Sequence, residues 1–255
     1  IGKCRTGREI IVSSYSKHFG EEQPLVGSGG SGTIFFTGCN LKCVYCQNYE
    51  ISQGMEGFPV SEAELAEMML QLQDAGAENI NLVSPTHFAV QVLIALKIAK
   101  SNGLKLPIVY NSGGYDSVKT LKLLDGYIDI YMPDAKYADP DIALKYSGIK
   151  NYPQRMKSAL KEMHHQVGDL VIEKGVAVKG LIVRHLVLPG DISGSKRIID
   201  LVADEISANT YFNLMRQYRP CFRANYYPEL RRYVEPTTYV GLYTYAKEKG
   251  LRLAR

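Results

Sequence analysis

Residues 33–46 read Thr33-Ile34-Phe35-Phe36-Thr37-Gly38-Cys39-Asn40-Leu41-Lys42-Cys43-Val44-Tyr45-Cys46. The first four are β-branched or aromatic and are typical of a buried strand. Three cysteines then follow in the spacing C-x3-C-x2-C. Cysteine thiolates are the usual ligands of iron–sulfur clusters, and three of them without a fourth suit a [4Fe–4S] cluster with one iron free of protein. We predict that Cys39, Cys43 and Cys46 bind such a cluster directly after a first strand.

A structural zinc site is the main alternative for these cysteines. Zinc usually takes four ligands, often as paired C-x2-C units. The other cysteines of the chain are Cys4 and Cys221, and neither belongs to a second such pair. His18 or His87 could supply a fourth ligand, but nothing in the spacing requires it. The pattern favours an iron–sulfur cluster.

The bulk composition excludes several function classes. With 255 residues, the chain is long enough for one large α/β domain or two small ones. A net charge of +4 is too small to indicate a nucleic-acid partner or an anionic membrane. We recognise no signal peptide, and no apolar run approaches the ~18 residues that span a bilayer. Free clustered cysteines indicate a reducing compartment, so we expect a cytoplasmic location. The chain starts at Ile1 rather than Met, and we expect further residues upstream.

Strand-like and helix-like segments alternate along the chain, as in βα units around a parallel sheet. The predicted strands are 33–37, 79–83, 107–111, 127–132, 180–187 and 210–215. The predicted helices are 61–75, 88–101, 115–124, 153–167, 194–208 and 237–249. We therefore predict an α/β fold with a partial (β/α)6 barrel of parallel strands as a single domain, residues 33–255. Residues 1–32 are predicted to be an N-terminal extension with a Gly-rich loop.

Polar side chains follow nearly every predicted strand. In open α/β sheets and barrels, functional residues lie at the carboxyl ends of the strands. Besides the cysteines, the candidates at these positions are Thr86, His87, Asn111, Ser112, Asp134, Lys136 and Met215. Arg184 lies inside the fifth strand, where an unpaired guanidinium would be very costly to bury. His185 should point to the opposite face of that strand, and we assign it no catalytic role.

The cysteine motif, with Tyr45 before its last cysteine, resembles the signature of the radical S-adenosylmethionine superfamily. Longer stretches resemble an uncharacterised branch of that superfamily, related to the pyruvate formate-lyase activating enzyme. These stretches are residues 18–27, 32–39, 46–52, 79–87 and 131–137. The resemblance covers nearly the whole chain and implies a partial barrel of six βα units.

The resemblance also implies an activity. It implies an oxidoreductase that uses a [4Fe–4S] cluster to cleave S-adenosylmethionine reductively. The products are methionine and a 5′-deoxyadenosyl radical, which abstracts hydrogen from a protein glycyl or side-chain site, or from a small metabolite. A reductant such as flavodoxin or ferredoxin is then expected as a partner, with no nucleic acid and no membrane. A non-catalytic iron–sulfur electron carrier or sensor, and a zinc-stabilised binding module, are the alternatives.

The superfamily often carries a Gly-Gly-Glu stretch after the second strand, which holds the methionine amino group. This chain has Ser84-Pro85-Thr86-His87 there. Thr86 and His87 are therefore candidates for that amino group or for the surroundings of the cluster, with a structural role as the alternative for His87. Tyr45 is expected to offer backbone groups to the adenine while its ring packs in the core.

The remaining cosubstrate candidates also follow from the resemblance. Asn111 and Ser112 are expected to bind the ribose hydroxyls or the carboxylate, with turn formation as the alternative. Asp134 and Lys136 match an Asp-x-Lys pattern that contacts the cosubstrate, with a surface ion pair as the alternative. Arg184 is expected to bind the methionine carboxylate through two hydrogen bonds, and Asp134 or Asp129 is its structural alternative. Met215, at the end of the sixth strand, completes the set.

Overall fold

A computed structural model describes residues 2–254, which fold around one large β-sheet. The strands are β1 Ile10–His18, β2 Ser31–Phe36, β3 Phe58–Val60, β4 Ile80–Val83, β5 Ile108–Ser112, β6 Ile130–Pro133, β7 Val171–Glu173, β8 Val176–Leu186, β9 Tyr211–Met215 and β10 Arg252–Leu253. The α-helices are α1 Gln23–Val26, α2 Tyr49–Ser52, α3 Glu62–Asp74, α4 Ala89–Ser101, α5 Val118–Leu124, α6 Pro140–Ser147, α7 Tyr152–Val167, α8 Ser195–Glu205 and α9 Pro236–Glu248.

The sheet is mostly parallel and open. Its strand order is β10-β9-β8-β6-β5-β4-β2-β1-β3, and β7 pairs with β8 beside this path. The six strands β2, β4, β5, β6, β8 and β9 are parallel to one another. Connections between parallel strands need crossovers, which the helices supply. The predicted α/β single-domain fold is confirmed, and the open parallel sheet is consistent with a partial barrel.

Each of the six predicted strands overlaps one of these parallel strands, and the six predicted helices overlap α3, α4, α5, α7, α8 and α9. Helix α3 begins as its sequence predicts. Ser61 Oγ accepts a hydrogen bond from the Glu64 N–H at 3.2 Å, and Glu64 Oε2 accepts from the Ser61 N–H at 2.7 Å. This reciprocal capping box satisfies backbone donors that a helix start otherwise leaves unpaired.

Part of the predicted N-terminal extension belongs to the sheet. Strand β1 pairs antiparallel with β2 and with β3, and Ser31 and Gly32 lie inside β2. Only the first residues of β1 are buried, Ile10 and Val12 among them, while its second half is exposed and polar. A solvent-facing antiparallel strand of this composition lacks the continuous apolar run by which the six parallel strands are recognised.

Backbone pairing continues beyond the strand ends and aligns the carboxyl edge of the sheet. The Ser84 N–H donates to the Asn111 carbonyl at 2.8 Å, and the Ala135 N–H donates to the Arg184 carbonyl at 2.8 Å. The Val187 N–H donates to the Met215 carbonyl at 3.0 Å. The polar residues that end neighbouring strands are therefore held side by side.

Candidate functional site

A cavity of about 270 Å³ lies at the carboxyl edge of the parallel strands. Ten of the residues singled out from the sequence line it, namely Cys39, Cys43, Cys46, Tyr45, Asn111, Ser112, Asp134, Lys136, Arg184 and Met215. These residues come from the loop after β2 and from the ends of β5, β6, β8 and β9. The structure thus brings the cysteine motif together with most of the candidate cosubstrate residues.

The cysteine loop follows β2 and is fixed by backbone contacts. Gly38 has a φ of +87°, and a Cβ at this position would lie 2.9 Å from the Cys4 carbonyl oxygen, so only glycine fits the turn into Cys39. Further along, the Lys42 N–H donates to the Ser147 carbonyl at 3.1 Å. The Cys46 N–H closes a tight turn on the Cys43 carbonyl at 3.2 Å.

Hydrogen-bonding groups surround the three sulfurs. Ser147 Oγ lies 2.9 Å from Cys43 Sγ, and Ser52 Oγ lies 3.2 Å from Cys46 Sγ. The Leu41 N–H donates to Cys39 Sγ at 3.4 Å. Such donors stabilise sulfur that carries negative charge, as metal-bound thiolates do.

The donor set fits a polynuclear cluster. Burial raises the pKa of the Cys39 thiol to about 12 and also raises the pKa of Cys43, so these sulfurs need cations to become thiolates. Within residues 2–254, no three side chains of His, Cys, Asp or Glu converge as one metal ion would require. Ligands of a [4Fe–4S] cluster bind separate irons, so three cysteines around one cavity fit that cluster.

A half-buried network of charges lies in the same cavity as the cysteines. Asp134 Oδ2 accepts from Lys136 Nζ at 2.6 Å, and its Oδ1 accepts from Arg184 Nε at 2.9 Å. A second guanidinium nitrogen of Arg184 donates to Asn111 Oδ1 at 2.6 Å. Burial by itself would raise the pKa of Asp134, but the two cations outweigh it and lower the pKa. Burial would lower the pKa of Lys136, and Asp134 reverses the direction.

The sequence left two acids open as structural partners of Arg184, and one of them is bonded to it in this structure. Asp134 is that partner, whereas Asp129 Oδ2 instead accepts from the Ile108 N–H at 2.8 Å. Asp134 and Lys136 form a half-buried pair rather than a pair on the open surface, with side chains 18% and 19% exposed. Binding of a methionine carboxylate by Arg184 stays a prediction.

Thr86 and His87 lie outside the lining of this cavity. The short 3-10 helix 86–88 directs Thr86 Oγ1 to Asp116 Oδ1 at 2.8 Å. Ser112 Oγ also donates to Asp116, at 2.6 Å. His87 Nε2 donates to the Thr37 carbonyl at 2.8 Å and lies beneath the turn into the cysteine loop. The structure therefore places Thr86 in a polar network beside the site and His87 against the cysteine loop.

Tyr45 packs in the core, as expected for its ring. Its hydroxyl donates to the Tyr137 hydroxyl at 2.5 Å, and its ring meets the edges of Tyr137 and Tyr218. Its backbone carbonyl accepts from Cys221 Sγ at 3.2 Å. His185 points away from the cavity, also as expected, and bonds to Ala135 and Ser195.

Several residues near the site were not assigned a role from the sequence. Glu21 lines the cavity, although it lies far along the chain from the strands. Asp116 and Ser147 hold neighbouring site residues through hydrogen bonds. Glu21 and Glu22 lie in residues 18–27, one of the segments that carry the family resemblance. That resemblance was the one signal for them in the sequence. Ser147 offered no signal, because serine at the end of a helix is common.

The fold and the site define an α/β protein with a three-cysteine loop at the carboxyl edge of a parallel sheet. Residues 33–191, more than half of the chain, match the family described as the Radical SAM superfamily. The chain therefore belongs to the radical S-adenosylmethionine superfamily.

One curated relative and two solved structures extend this comparison. The uncharacterized protein MJ0674 of Methanocaldococcus jannaschii is 33% identical over 263 residues, covering 99% of this chain and 69% of the relative. Streptococcus suis SuiB bound to the precursor peptide SuiA is 14% identical with a TM-score of 0.57, covering 86% of this chain and 46% of SuiB. SuiB bound to S-adenosylmethionine gives 14% identity and a TM-score of 0.51, covering 88% and 45%. This chain spans less than half of SuiB, and the likeness concerns the fold.

Proposed function

We propose that this protein is an enzyme that abstracts hydrogen from a substrate. In this proposal Cys39, Cys43 and Cys46 hold a [4Fe–4S] cluster, and the adjoining cavity holds S-adenosylmethionine. When bound, these groups supply the reductive cleavage of the sulfonium into methionine and a hydrogen-abstracting 5′-deoxyadenosyl radical. The observation that carries the proposal is the shared cavity, which the three cysteines line together with Asn111, Asp134, Lys136 and Arg184.

The charged residues of the cavity suit the methionine part of the cosubstrate. Its carboxylate would meet Arg184, whose guanidinium is half-buried and already oriented by Asp134 and Asn111. A planar guanidinium binds a carboxylate through two parallel hydrogen bonds. The Asp134 carboxylate keeps Arg184 and Lys136 charged at this depth, so it prepares the cavity for an anion.

The apolar walls suit the radical chemistry. The apolar residues of the lining come from the end of β2, the cysteine loop and α2, and they are Phe35, Phe36, Leu41 and Ile51. Side chains of this kind exclude water and offer few groups that compete for a reactive species. The chain thus supplies the cluster ligands, orients the anionic end of the cosubstrate and encloses the reacting bond.

Iron analysis and product analysis test the proposal in one preparation. The protein reconstituted under anaerobic conditions should hold about four iron and four sulfide ions per chain. After reduction with dithionite it should convert S-adenosylmethionine into 5′-deoxyadenosine and methionine, both measured by liquid chromatography. Cys43→Ala should lose the iron and both products.

A cysteine outside the motif supplies the matched control. Cys221 is half-buried and bonds to the Tyr45 carbonyl, so Cys221→Ala should keep the iron content and the product yield. Continued cleavage by Cys43→Ala would refute the cluster assignment. A full cluster that yields no 5′-deoxyadenosine would favour the alternative function, a non-catalytic electron carrier or sensor.

We also propose that the protein is related to the pyruvate formate-lyase activating enzyme and that it is an oxidoreductase. We propose flavodoxin or ferredoxin as the electron donor and either a protein site or a small metabolite as the substrate. Residues 2–254 contain no helix with the length and apolar character needed to cross a membrane. The free cysteines favour a reducing compartment, and we propose the cytoplasm.

A further inference from the structure

An arginine-rich segment, residues 216–233, follows β9. It contains no lysine and five arginines, all of them exposed, namely Arg216, Arg219, Arg223, Arg231 and Arg232. Its one acid, Glu229, pairs with Lys145 on α6 at 2.5 Å. The segment therefore carries five positive charges that no acid within it balances.

Hydrogen bonds hold most of this segment as a compact loop. Two short 3-10 helices, 224–226 and 228–230, follow each other, and the Tyr218 hydroxyl donates to the Leu230 carbonyl at 2.7 Å. Arg219 and Arg231 each follow one of these two bonded residues along the chain. Arg231 Nε also donates to the Asn225 carbonyl at 2.8 Å. The arginines are therefore gathered on one loop.

The loop packs directly on the cysteine motif. The Arg223 N–H donates to the Val44 carbonyl at 2.8 Å, and Cys221 Sγ donates to the Tyr45 carbonyl at 3.2 Å. Val44 and Tyr45 are the two residues between the second and the third cysteine of the motif. A protein bound to the outer face of this loop would therefore be separated from the cysteines by one layer of chain.

Aromatic side chains lie among these arginines. Phe222 stacks on Tyr49 with ring centroids 4.9 Å apart and an angle of 11° between the planes, and the Arg223 guanidinium lies 5.1 Å from the Phe222 centroid. Phe222 has a φ of +51°, a strained conformation for a residue with a bulky side chain. Tyr226 and Tyr233 are 79% and 69% exposed. Aromatic residues and arginine are enriched in protein–protein interfaces, where lysine is depleted.

The position of the loop favours an electron carrier over a substrate as its partner. A substrate has to enter the cysteine-lined cavity to meet the radical, whereas residues 218–233 are not part of the lining of that cavity. An electron needs only a short path between donor and acceptor, because its transfer slows steeply with distance. The five arginines would attract and orient a carrier with an acidic surface.

We propose that this loop is the docking surface for an acidic one-electron carrier protein, which reduces the cluster held by the three cysteines. The inference rests on the proposed function, because it takes those cysteines as the cluster ligands. In the reaction the carrier loses one electron and the cluster gains it, and no atom is transferred. Charge complementarity of this kind acts mainly on the rate of association, and salt screens it.

Reduced plant-type ferredoxin, an acidic [2Fe–2S] protein, is the probe for the reconstituted protein. Calorimetry with both proteins oxidised measures docking, and rapid-freeze electron paramagnetic resonance after mixing measures the rate of cluster reduction. This rate should fall about tenfold or more between about 20 mM and about 500 mM sodium chloride. Reduction by photoreduced 5-deazariboflavin, which is small and uncharged, should change by less than about twofold. Absence of binding, binding without reduction, or a rate that does not respond to salt overturns the proposal.

Matched double variants locate the surface. Arg219→Gln with Arg223→Gln should weaken ferredoxin binding and slow reduction about fivefold or more, and should leave reduction by 5-deazariboflavin unchanged. Both side chains are exposed, and Arg223 bonds to Val44 through its backbone, so this variant should fold. Arg8→Gln with Arg155→Gln removes two exposed charges elsewhere and should change either quantity by less than about twofold. Equal losses in the two double variants overturn the proposal, because the net charge of the protein would then attract the carrier.

Two further outcomes separate this inference from its neighbours. An RNA oligonucleotide that binds the loop more tightly than ferredoxin would overturn the proposal in favour of a nucleic-acid partner. Docking and cluster reduction without cleavage of S-adenosylmethionine would refute the proposed function alone. Cleavage with dithionite, together with salt-independent reduction by ferredoxin, would refute this inference alone.

Discussion

His185 makes the stability of the sheet depend on pH. Its ring is fully buried on β8, where Nδ1 donates to the Ala135 carbonyl at 2.5 Å and Nε2 accepts from the Ser195 hydroxyl at 3.0 Å. A carbonyl oxygen can only accept, which fixes this tautomer. Burial lowers the pKa of His185 from its usual 6.5 to about 4, so the neutral ring is the native form.

The sign and size of the effect follow from proton binding. Between pH 6.5 and pH 4, the unfolded chain binds a proton at His185 that the native protein does not bind. The contribution to stability is therefore complete above pH 6.5 and is lost as the pH falls toward 4. From about pH 7.5 to about pH 5, this histidine should lower the free energy of unfolding by about 2 kcal/mol.

Urea unfolding at a series of pH values measures this contribution. The unchanged protein should lose about 2 kcal/mol more than His185→Gln over that pH interval, whatever the variant's stability at neutral pH. His165, exposed on α7, provides the control, and His165→Gln should follow the unchanged protein. Parallel curves for the unchanged protein and His185→Gln would refute a buried neutral ring.

Three further substitutions test the site and the fold. Asp134→Asn leaves Arg184 without its buried carboxylate and should lower the free energy of unfolding in urea by about 3 kcal/mol. Ser147→Ala removes the hydroxyl 2.9 Å from Cys43 Sγ and should make the potential of the reconstituted cluster more negative by roughly 50 mV in a redox titration. Ser61→Ala removes the cap of α3 and should cost about 1 kcal/mol in thermal unfolding.

Each of these substitutions has a counterpart of the same residue type. Asp141→Asn changes an acid that is 82% exposed, and should alter stability by less than about 0.5 kcal/mol. Ser158→Ala, on the exposed face of α7, should leave the potential unchanged. Ser117 precedes α5 but makes no side-chain cap with any described residue, so Ser117→Ala should cost less than Ser61→Ala. If a substitution and its counterpart had equal effects, the contact assigned to the first residue would be wrong.

The sequence predicts the parallel part of the fold well because those strands are covered on both faces. Strand β5, for example, is buried along its whole length, Ile108–Ser112, and so forms a recognisable apolar run ending in polar residues. Strand β1 was not predicted, because an antiparallel strand that is half exposed can consist largely of serine, tyrosine and lysine. Its place in the sheet depends on pairing with β2, which composition does not encode.

The candidate site was likewise predicted from the sequence only in part. The rule that polar residues gather at the carboxyl ends of parallel strands places Asn111 and Asp134 together, and in the structure both bond to Arg184, which the sequence marked as a charge needing a partner. The same rule placed Thr86 in the site, but a single 3-10 turn after β4 carries its hydroxyl to Asp116 instead. Local backbone geometry of this kind is not determined by strand order.

The burial of Glu22 depends on contacts between distant parts of the chain. Glu22 and Asn213 are 191 positions apart, and only the packing of the N-terminal segment against β9 brings them within 3.0 Å. Two adjacent glutamates in a sequence usually indicate an exposed, solvated segment. The burial of Glu21 and Glu22 can be recognised only once the segment before β2 is seen packed against the sheet.

Arg184 lies between two sets of acidic side chains. The guanidinium is bonded to Asp134 on the side of the cysteines and faces Glu21 and Glu22 at 3.9 Å on the other side. Of these three acids, Asp134 alone lies within hydrogen-bond distance of the guanidinium, so it contributes most to keeping Arg184 charged.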